Sequence, residues 1–408
     1  MSIADTLTLT LTLTDTVSST IEKWASRLID ISHTIHAHPE LAFEEHHASA
    51  LLADAAQEAG FTVTRAAYGL ETAFEAVRGS GPFRVVVCAE YDALPDIGHA
   101  CGHNVIAAAG LGAAVALGEV AEEHGLTVVL LGTPAEEHGG GKVLLLERGA
   151  WEGAAMSIMV HGAAGEDVSC TVTGTQAVDR FDVTYTGRAA HAAAAPHKGI
   201  NAGDAATIAL VAIGLLRQQL PSDVRLNAYV EHGGEATNII PASTLVRAEV
   251  RAAELDVLLD AKRRMLSCFE GAAVASDCSW STERAEPRYE ELVQHRVLAT
   301  IWDEEIASLG RTAAARTPLT GGSTDMGNVS KVVPSIHPMI ALRGVTGVPH
   351  TIEFAADARS AAGDEAVLHG AVAMARTVIR AATGDSRSNL LTIAAQRESG
   401  ATTVTSAE

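Results

Sequence analysis

The apolar positions alternate along the chain between a helical and a strand texture. From Thr20 to His36, Ile21, Trp24, Leu28, Ile31 and Ile35 recur at intervals of three and four, the repeat of a helix with one buried stripe, and Pro39 ends it. A second helix is expected over Glu45 to Ala59, with Gly60 as its stop, and a strand over Phe61 to Arg65. Arg84 to Ala89 and Thr127 to Gly132 are apolar without alternation, as strands covered on both faces are. Between them the Ala-rich stretch Val105 to Glu123 reads as a helix, and a further apolar run follows at Met156 to Val160. Strand, helix and strand in that order predict an α/β sheet.

From about Val178 the texture changes. Strand-like stretches at Phe181 to Tyr185, Arg225 to Glu231 and Thr244 to Ala252 are interleaved with helical ones at Gly203 to Gln219 and Leu255 to Ala273. This predicts a smaller α+β domain of βαβ type over residues 178–287, inserted into a larger domain made of 17–177 and 288–384. The Thr-Leu alternation from Thr6 to Thr14 has the period of a strand, but at a chain end residues 1–16 are expected to form a flexible tail. Residues 385–408, rich in Ser, Thr and charge, are expected to form another.

Composition narrows the partners. At 408 residues the chain can bury a large core and is long enough for two domains. Its net charge of -21 repels phosphate, which argues against nucleic acid and anionic membranes and leaves a small-molecule partner. Five widely spaced cysteines do not form a secreted disulfide framework. The first residues lack both a basic leader and an unbroken apolar run, so a soluble cytoplasmic protein is expected.

Polar residues gather just after the apolar strands. Glu90-Tyr91-Asp92 follows the first, Pro134-Ala135-Glu136-Glu137-His138 follows the second, and His161 closes the third apolar run. Open α/β sheets place ligands at that edge. Cys101 and His103 are good donors to a borderline metal, though a cysteine two positions from a histidine is equally a core residue beside an incidental ring. Adjacent acids at Glu136 and Glu137 are equally a solvated loop. Convergence on one edge favours a metal site, where one Glu binds the ion and its neighbour handles protons. Other signatures fail on spacing: the Gly-Gly-Gly-Lys at 139–142 is not a phosphate loop, because Val143 stands where Ser or Thr is needed. Gly321-Gly322-Ser323-Thr324-Asp325 lacks the second flanking glycine of a nucleophile elbow.

AEYDALP at 89–95, GHACGHN at 98–104, PAEEHGGGK at 134–142, GRAAH at 187–191, TNIIPAS at 237–243, GGSTDMGNVS at 321–330 and HTIEF at 350–354 occur in this order. Together they resemble peptidase family M20, the aminoacylase and carboxypeptidase group of co-catalytic metallohydrolases. Within it they are similar to the amidohydrolases of N-acyl amino acids, auxin conjugates, p-aminobenzoyl-glutamate and β-alanyl-lysine-type dipeptides. The resemblance implies an α/β fold: a mixed-sheet, zinc-peptidase-like catalytic domain with an inserted lid and dimerisation domain, in a homodimer. It implies two divalent ions, Zn²⁺ or Mn²⁺, on Cys101, His103, Glu137, His161 and His350, with Cys101 bridging and the thiolate favouring zinc by softness. It makes Glu136 the general base, Asp92 a residue that orients a ligand, and His191 a donor to the oxyanion. Asn238 and Arg251 would grip the substrate carboxylate, while His38, Glu40, Ser323, Thr324 and Asp325 would shape the site.

Overall fold

The computed structural model describes residues 3–314 and 322–399. In chain order its main elements are α1 (Ile3–Ala37), α2 (His46–Glu58), β1 (Thr62–Arg65), β2 (Phe74–Arg78), β3 (Phe83–Ala89), α3 (His103–Val120), β4 (Leu126–Gly132), α4 (Gly141–Glu147), β5 (Ala154–Ile158) and β6 (His161–Gly165). There follow β7 (Ala177–Thr186), α5 (Ala202–Leu216), β8 (Arg225–His232), β9 (Ser243–Ala252), α6 (Leu255–Ser276) and β10 (Ser279–Arg284). The chain closes with α7 (Arg296–Ser308), α8 (Met326–Ser330), β11 (Ser335–Ile336), β12 (Met339–Arg343), α9 (Ile352–Asp357), α10 (Ala361–Ala381) and α11 (Gly384–Glu398).

Two compact units result. One comprises residues up to Gly174 together with those from Leu292 on; the other is Thr175–Glu291, with Gly322 and Ser323 joining it. In the larger unit a sheet runs β1-β2-β4-β3-β5-β11, with β4, β3, β5 and β11 parallel and β1 and β2 antiparallel at one side. β6 and β12 form a separate parallel pair. Because β3, β4 and β5 run the same way, the loops after them emerge at one edge of the sheet.

Helix α3 is apolar all round, and every residue of it except Glu119 is buried. Among the described residues it is the helix long and apolar enough to cross a membrane, but here protein surrounds it. Gly112 explains the close approach: a Cβ there would lie 2.8 Å from Leu28 Cδ1 and 3.0 Å from Ala371 Cβ, so the glycine lets α1, α3 and α10 meet.

The N-terminal residues correct the expected tail at 1–16. Residues 3–16 belong to α1, and Leu13 and Val17 are buried in line with Ile21, Leu28, Ile31 and Ile35, while residues 1 and 2 lie outside the described residues. An alternating pattern contains the four-residue step of a helix, so Leu13 and Val17 fall on the buried face of α1 while Leu11 is exposed. The hydroxyls on the other positions bond back to the preceding turn, Thr16 to the Thr12 carbonyl at 2.9 Å and Thr20 to that of Thr16 at 3.0 Å. The expected tail at 385–408 is likewise α11 as far as Glu398, with Leu390 and Ala394 buried and Arg397 donating to the carbonyls of Trp151 and Ala154. Residues 400–408 of that expectation lie outside the described residues.

The smaller unit is an antiparallel sheet ordered β10-β7-β9-β8 carrying α5 and α6. β7 and β8, joined by α5, are parallel but separated by β9, so the expected βαβ takes its split form.

Candidate metal centre

The loops at the sheet edge bring the polar residues of the larger unit together. Asp92 follows β3, is buried, and accepts from His103 Nδ1 at 3.1 Å and from the Glu137 backbone N–H at 3.0 Å. It thereby fixes the first residue of α3 with Nε2 turned away from it. That Nε2 is buried without a hydrogen-bond partner. Three carboxylate oxygens stand around it: Glu90 Oε2 at 3.7 Å, Glu136 Oε2 at 3.8 Å and Glu137 Oε1 at 3.8 Å.

His161 opens β6, and its Nδ1 donates to the Gly162 carbonyl at 2.7 Å, which leaves the Nε2 lone pair free toward Cys101 Sγ, 3.5 Å away. His350 Nε2 lies 3.6 Å from the same sulfur and 3.6 Å from Glu137 Oε2. The backbone N–H of His350 donates to Ala100, and its φ of 69° is left-handed. Ala135, next to Glu136, has φ 59° and donates to buried Glu45 Oε1 at 2.8 Å. Two non-glycine residues in this strained region border the cluster, and each is held there by a hydrogen bond.

These separations fit divalent ions. Bonds of about 2.0–2.3 Å to one ion hold neighbouring N, O and S donors roughly 3–4 Å apart, and the N···O separations here, 3.6–3.8 Å, are too long for hydrogen bonds. Donor atoms of Cys101, His103 and His161, and of Cys101, Glu137 and His350, each lie within 4.8 Å of one another. Cys101 belongs to both groups. Glu136 is 6% exposed, and burial, then the charges of Glu90, Glu137 and Asp325, push its carboxyl well above the usual range. A carboxylate with raised proton affinity suits proton transfer.

The model of Peptidase family M20/M25/M40 matches residues 86–381. This chain belongs to that family. The Xaa-Arg dipeptidase of Mus musculus is 35% identical over 378 residues, spanning 88% of this chain and 86% of the relative. One of the two p-aminobenzoyl-glutamate hydrolase polypeptides of Escherichia coli is 32% identical over 64% of this chain and 58% of the relative. The solved Bacillus subtilis YXEP protein, described as a dinuclear metal binding peptidase from the M20 family, superposes with a TM-score of 0.64 at 20% identity. It covers 88% of this chain and 99% of the other, a likeness of fold. As an M20/M25/M40 peptidase, this chain is a metal-dependent hydrolase of amide or peptide bonds.

The remaining sequence candidates of this M20/M25/M40 peptidase lie in the smaller unit. His191 is exposed and bridges to Ile239, while Ala192 N–H donates to the Asn238 carbonyl at 2.9 Å, so His191 and Asn238 sit on paired segments. The N–H groups of Ala193 and Ala194 donate to His191 Nδ1 at 3.2 and 3.1 Å, which puts the proton of the neutral ring on the other nitrogen. Arg251 is engaged: its Nε and one terminal nitrogen clasp Glu249 at 2.8 and 3.1 Å, and the other terminal nitrogen donates to Ser323 at 3.3 Å.

Three family-signature residues have structural bonds. Glu40 accepts from the N–H groups of His47 and Ala48 and caps α2. His99 Nε2 donates to the Ile35 carbonyl at 3.1 Å, which occupies that nitrogen away from the donor groups, and burial lowers its pKa to about 3. Asp325 clamps Lys142.

Sequence reasoning placed Glu90 at the sheet edge without giving it a role, and assigned none to three further buried residues here: Glu45, Lys142 and His337. His337 is 2% exposed, both its ring nitrogens lack partners, and it lies 5.5 Å from the His161 ring; burial holds it at about 3. The available signal was position, since Glu90 and His337 each follow a buried strand.

Proposed function

We propose that the chain binds two divalent ions, zinc by preference and manganese as the alternative, and hydrolyses the amide bond of a dipeptide or N-acyl amino acid to release a free amino acid. The observation that carries this reading is the donor cluster around Cys101, with buried, unpartnered His103 Nε2 and Glu137 Oε1 and separations of 3.5–3.8 Å. His103 and His161 would serve one ion, Glu137 and His350 the other, and Cys101 both. A thiolate donor favours zinc. Such ions lower the pKa of bound water and polarise a carbonyl oxygen.

Glu136 takes the proton of the attacking water and returns it to the leaving nitrogen. His191, with its donor nitrogen outward, stabilises the oxyanion. Asn238 and the remaining N–H groups of Arg251 hold the substrate carboxylate, the planar guanidinium being oriented by Glu249. The similarity to an Xaa-Arg dipeptidase makes dipeptides with a basic carboxyl-terminal residue the first substrates to try, and p-aminobenzoyl-glutamate the second.

A homodimer is supported by the smaller unit's own surface. Ile208, Val211 and Leu215 are exposed on one face of α5, and Tyr229 and Val230 are exposed on β8, which stands at the edge of its sheet. The five free cysteines support a reducing compartment, the cytoplasm.

Chelation tests the reading. Stripping the metals should abolish amine release from a panel of dipeptides and N-acyl amino acids, and two equivalents of zinc or manganese should restore it. Full activity in the metal-free chain overturns the proposal.

A further inference from the structure

Glu45 is fully buried and stands at the N-cap of α2, where a polar side chain ordinarily accepts from the first N–H groups of the helix. It makes no such bond, and Glu40 accepts from the N–H groups of His47 and Ala48 instead. The Glu45 carboxylate turns to the loop after β4, where Oε1 accepts from the Ala135 N–H at 2.8 Å, 90 positions along the chain. Oε2 accepts from the Thr72 hydroxyl at 2.7 Å, and the Thr72 carbonyl accepts in turn from the Tyr91 hydroxyl at 2.6 Å. Thr72 and Tyr91 are buried too, so the acid is held from behind where it meets Ala135.

Ala135 is the residue that needs holding. Its φ of 59° lies in the left-handed region, which alanine adopts only at a cost, and Glu136 follows it directly. Its carbonyl accepts from the Gly141 N–H at 3.1 Å, which closes the loop that carries Glu136 and Glu137. With both backbone groups tied, Ala135 fixes the direction in which the chain enters Glu136, whose Oε2 stands 3.8 Å from His103 Nε2. A return of Ala135 to negative φ would rotate the next peptide and carry that carboxylate out of the cluster. Strain of this kind persists only where the surroundings impose it. A misplacement of about 1 Å at a reacting group costs roughly 10²-fold in rate.

We propose that Glu45 is a positioning residue for the reaction: by accepting from the Ala135 N–H it holds the left-handed turn that aims Glu136 at the attacking water. This rests on the reading of Glu136 as the proton carrier. The turn requires an acceptor at this place rather than a charge. Gln supplies one, its amide oxygen facing Ala135 and its NH₂ donating to the Thr72 hydroxyl oxygen, whereas Met supplies similar length without it.

The test is steady-state kinetics and zinc content of the full chain, on the Xaa-Arg dipeptide that wild type hydrolyses fastest, with circular dichroism to establish folding. Glu45→Met should lower kcat about 10- to 100-fold, with KM within about threefold of wild type and two zinc ions retained, while Glu45→Gln keeps kcat within about threefold. Added to Glu136→Gln, Glu45→Met should lower kcat no further, because no base is left to aim. A near-normal kcat in Glu45→Met, equal losses in the Met and Gln variants, or the full loss repeated on the Glu136→Gln background would overturn the proposal. Loss of zinc from Glu45→Met would overturn it as well, since the effect would then lie on Glu137. Near-normal turnover of Glu136→Gln alone would overturn the base reading itself, and the proposal with it. Should Glu45→Met fail to fold, Thr72→Val, which strips Oε2 of its donor, decides: a kcat lowered at least about threefold at unchanged KM and zinc content supports the assignment, and an unchanged kcat refutes it.

Discussion

Asp92 shows how much of the centre's order comes from residues placed behind the donors. Its two oxygens hold His103 and the Glu137 backbone at once, so Asp92→Asn should weaken metal binding about 10- to 100-fold with little loss of fold, as read by chelator competition. An unchanged affinity would mean that the ring is oriented by something else. His191 is a separate case, since the Ala193 and Ala194 N–H groups fix its tautomer without any acid. His191→Ala should lower kcat roughly 10²- to 10³-fold with a small change in KM, the pattern of a group that acts on the oxyanion. At this scale the donors were legible because each stands at the end of an apolar run or inside a motif. Glu90 was legible in place but not in role, and Lys142, Glu45 and His337 were legible in neither, because their meaning is tertiary: Lys142 meets Glu90 from 52 positions away and Asp325 from 183. Nothing local to a Gly-Gly-Gly-Lys stretch announces a buried cation.

Elements were most legible where burial is one-sided or complete. The three-four repeat of α1 beyond Thr20 and the unbroken apolar strands β3 and β4 stand where the pattern put them. The ends of the chain were misread because weak amphipathicity at a terminus reads as fraying until a partner surface is known. For α1 that surface is α3 and α10, and Arg376 of α10 reaches back to Ser18 at 3.0 Å. Leu13→Ala should therefore cost about 2–5 kcal/mol in chemical denaturation; a flexible tail would show no change. The split order of the smaller sheet was likewise hidden, since pairing of β7 with β9 depends on contacts between strands far apart in sequence.

For the molecule as a whole, the acidic composition and the two units make separate predictions. Within the smaller unit, burial pushes Glu249 up, but the guanidinium groups of Arg251 and Arg180 outweigh it and hold the carboxyl at about 2, against 4.5 when unfolded. A depressed acid stabilises above its unfolded value, so the contribution is complete above about pH 4.5 and is lost as pH falls through about 2. It amounts to at most about 3 kcal/mol, and Glu249→Gln should make the acid limb of the stability curve shallower over that window. Replacing Val211 and Leu215 together by Glu should convert a dimer to monomers in sedimentation, with folding retained; a wild type that is already monomeric removes the dimer from the account. The central claim is that this family M20/M25/M40 chain uses a metal centre with Glu136 as its proton carrier. Metal content and turnover of Glu136→Gln, measured on the same preparation, test it most directly. The account predicts two ions per chain, as in wild type, with turnover reduced about 10²- to 10⁴-fold; near-normal turnover with both ions bound would contradict it.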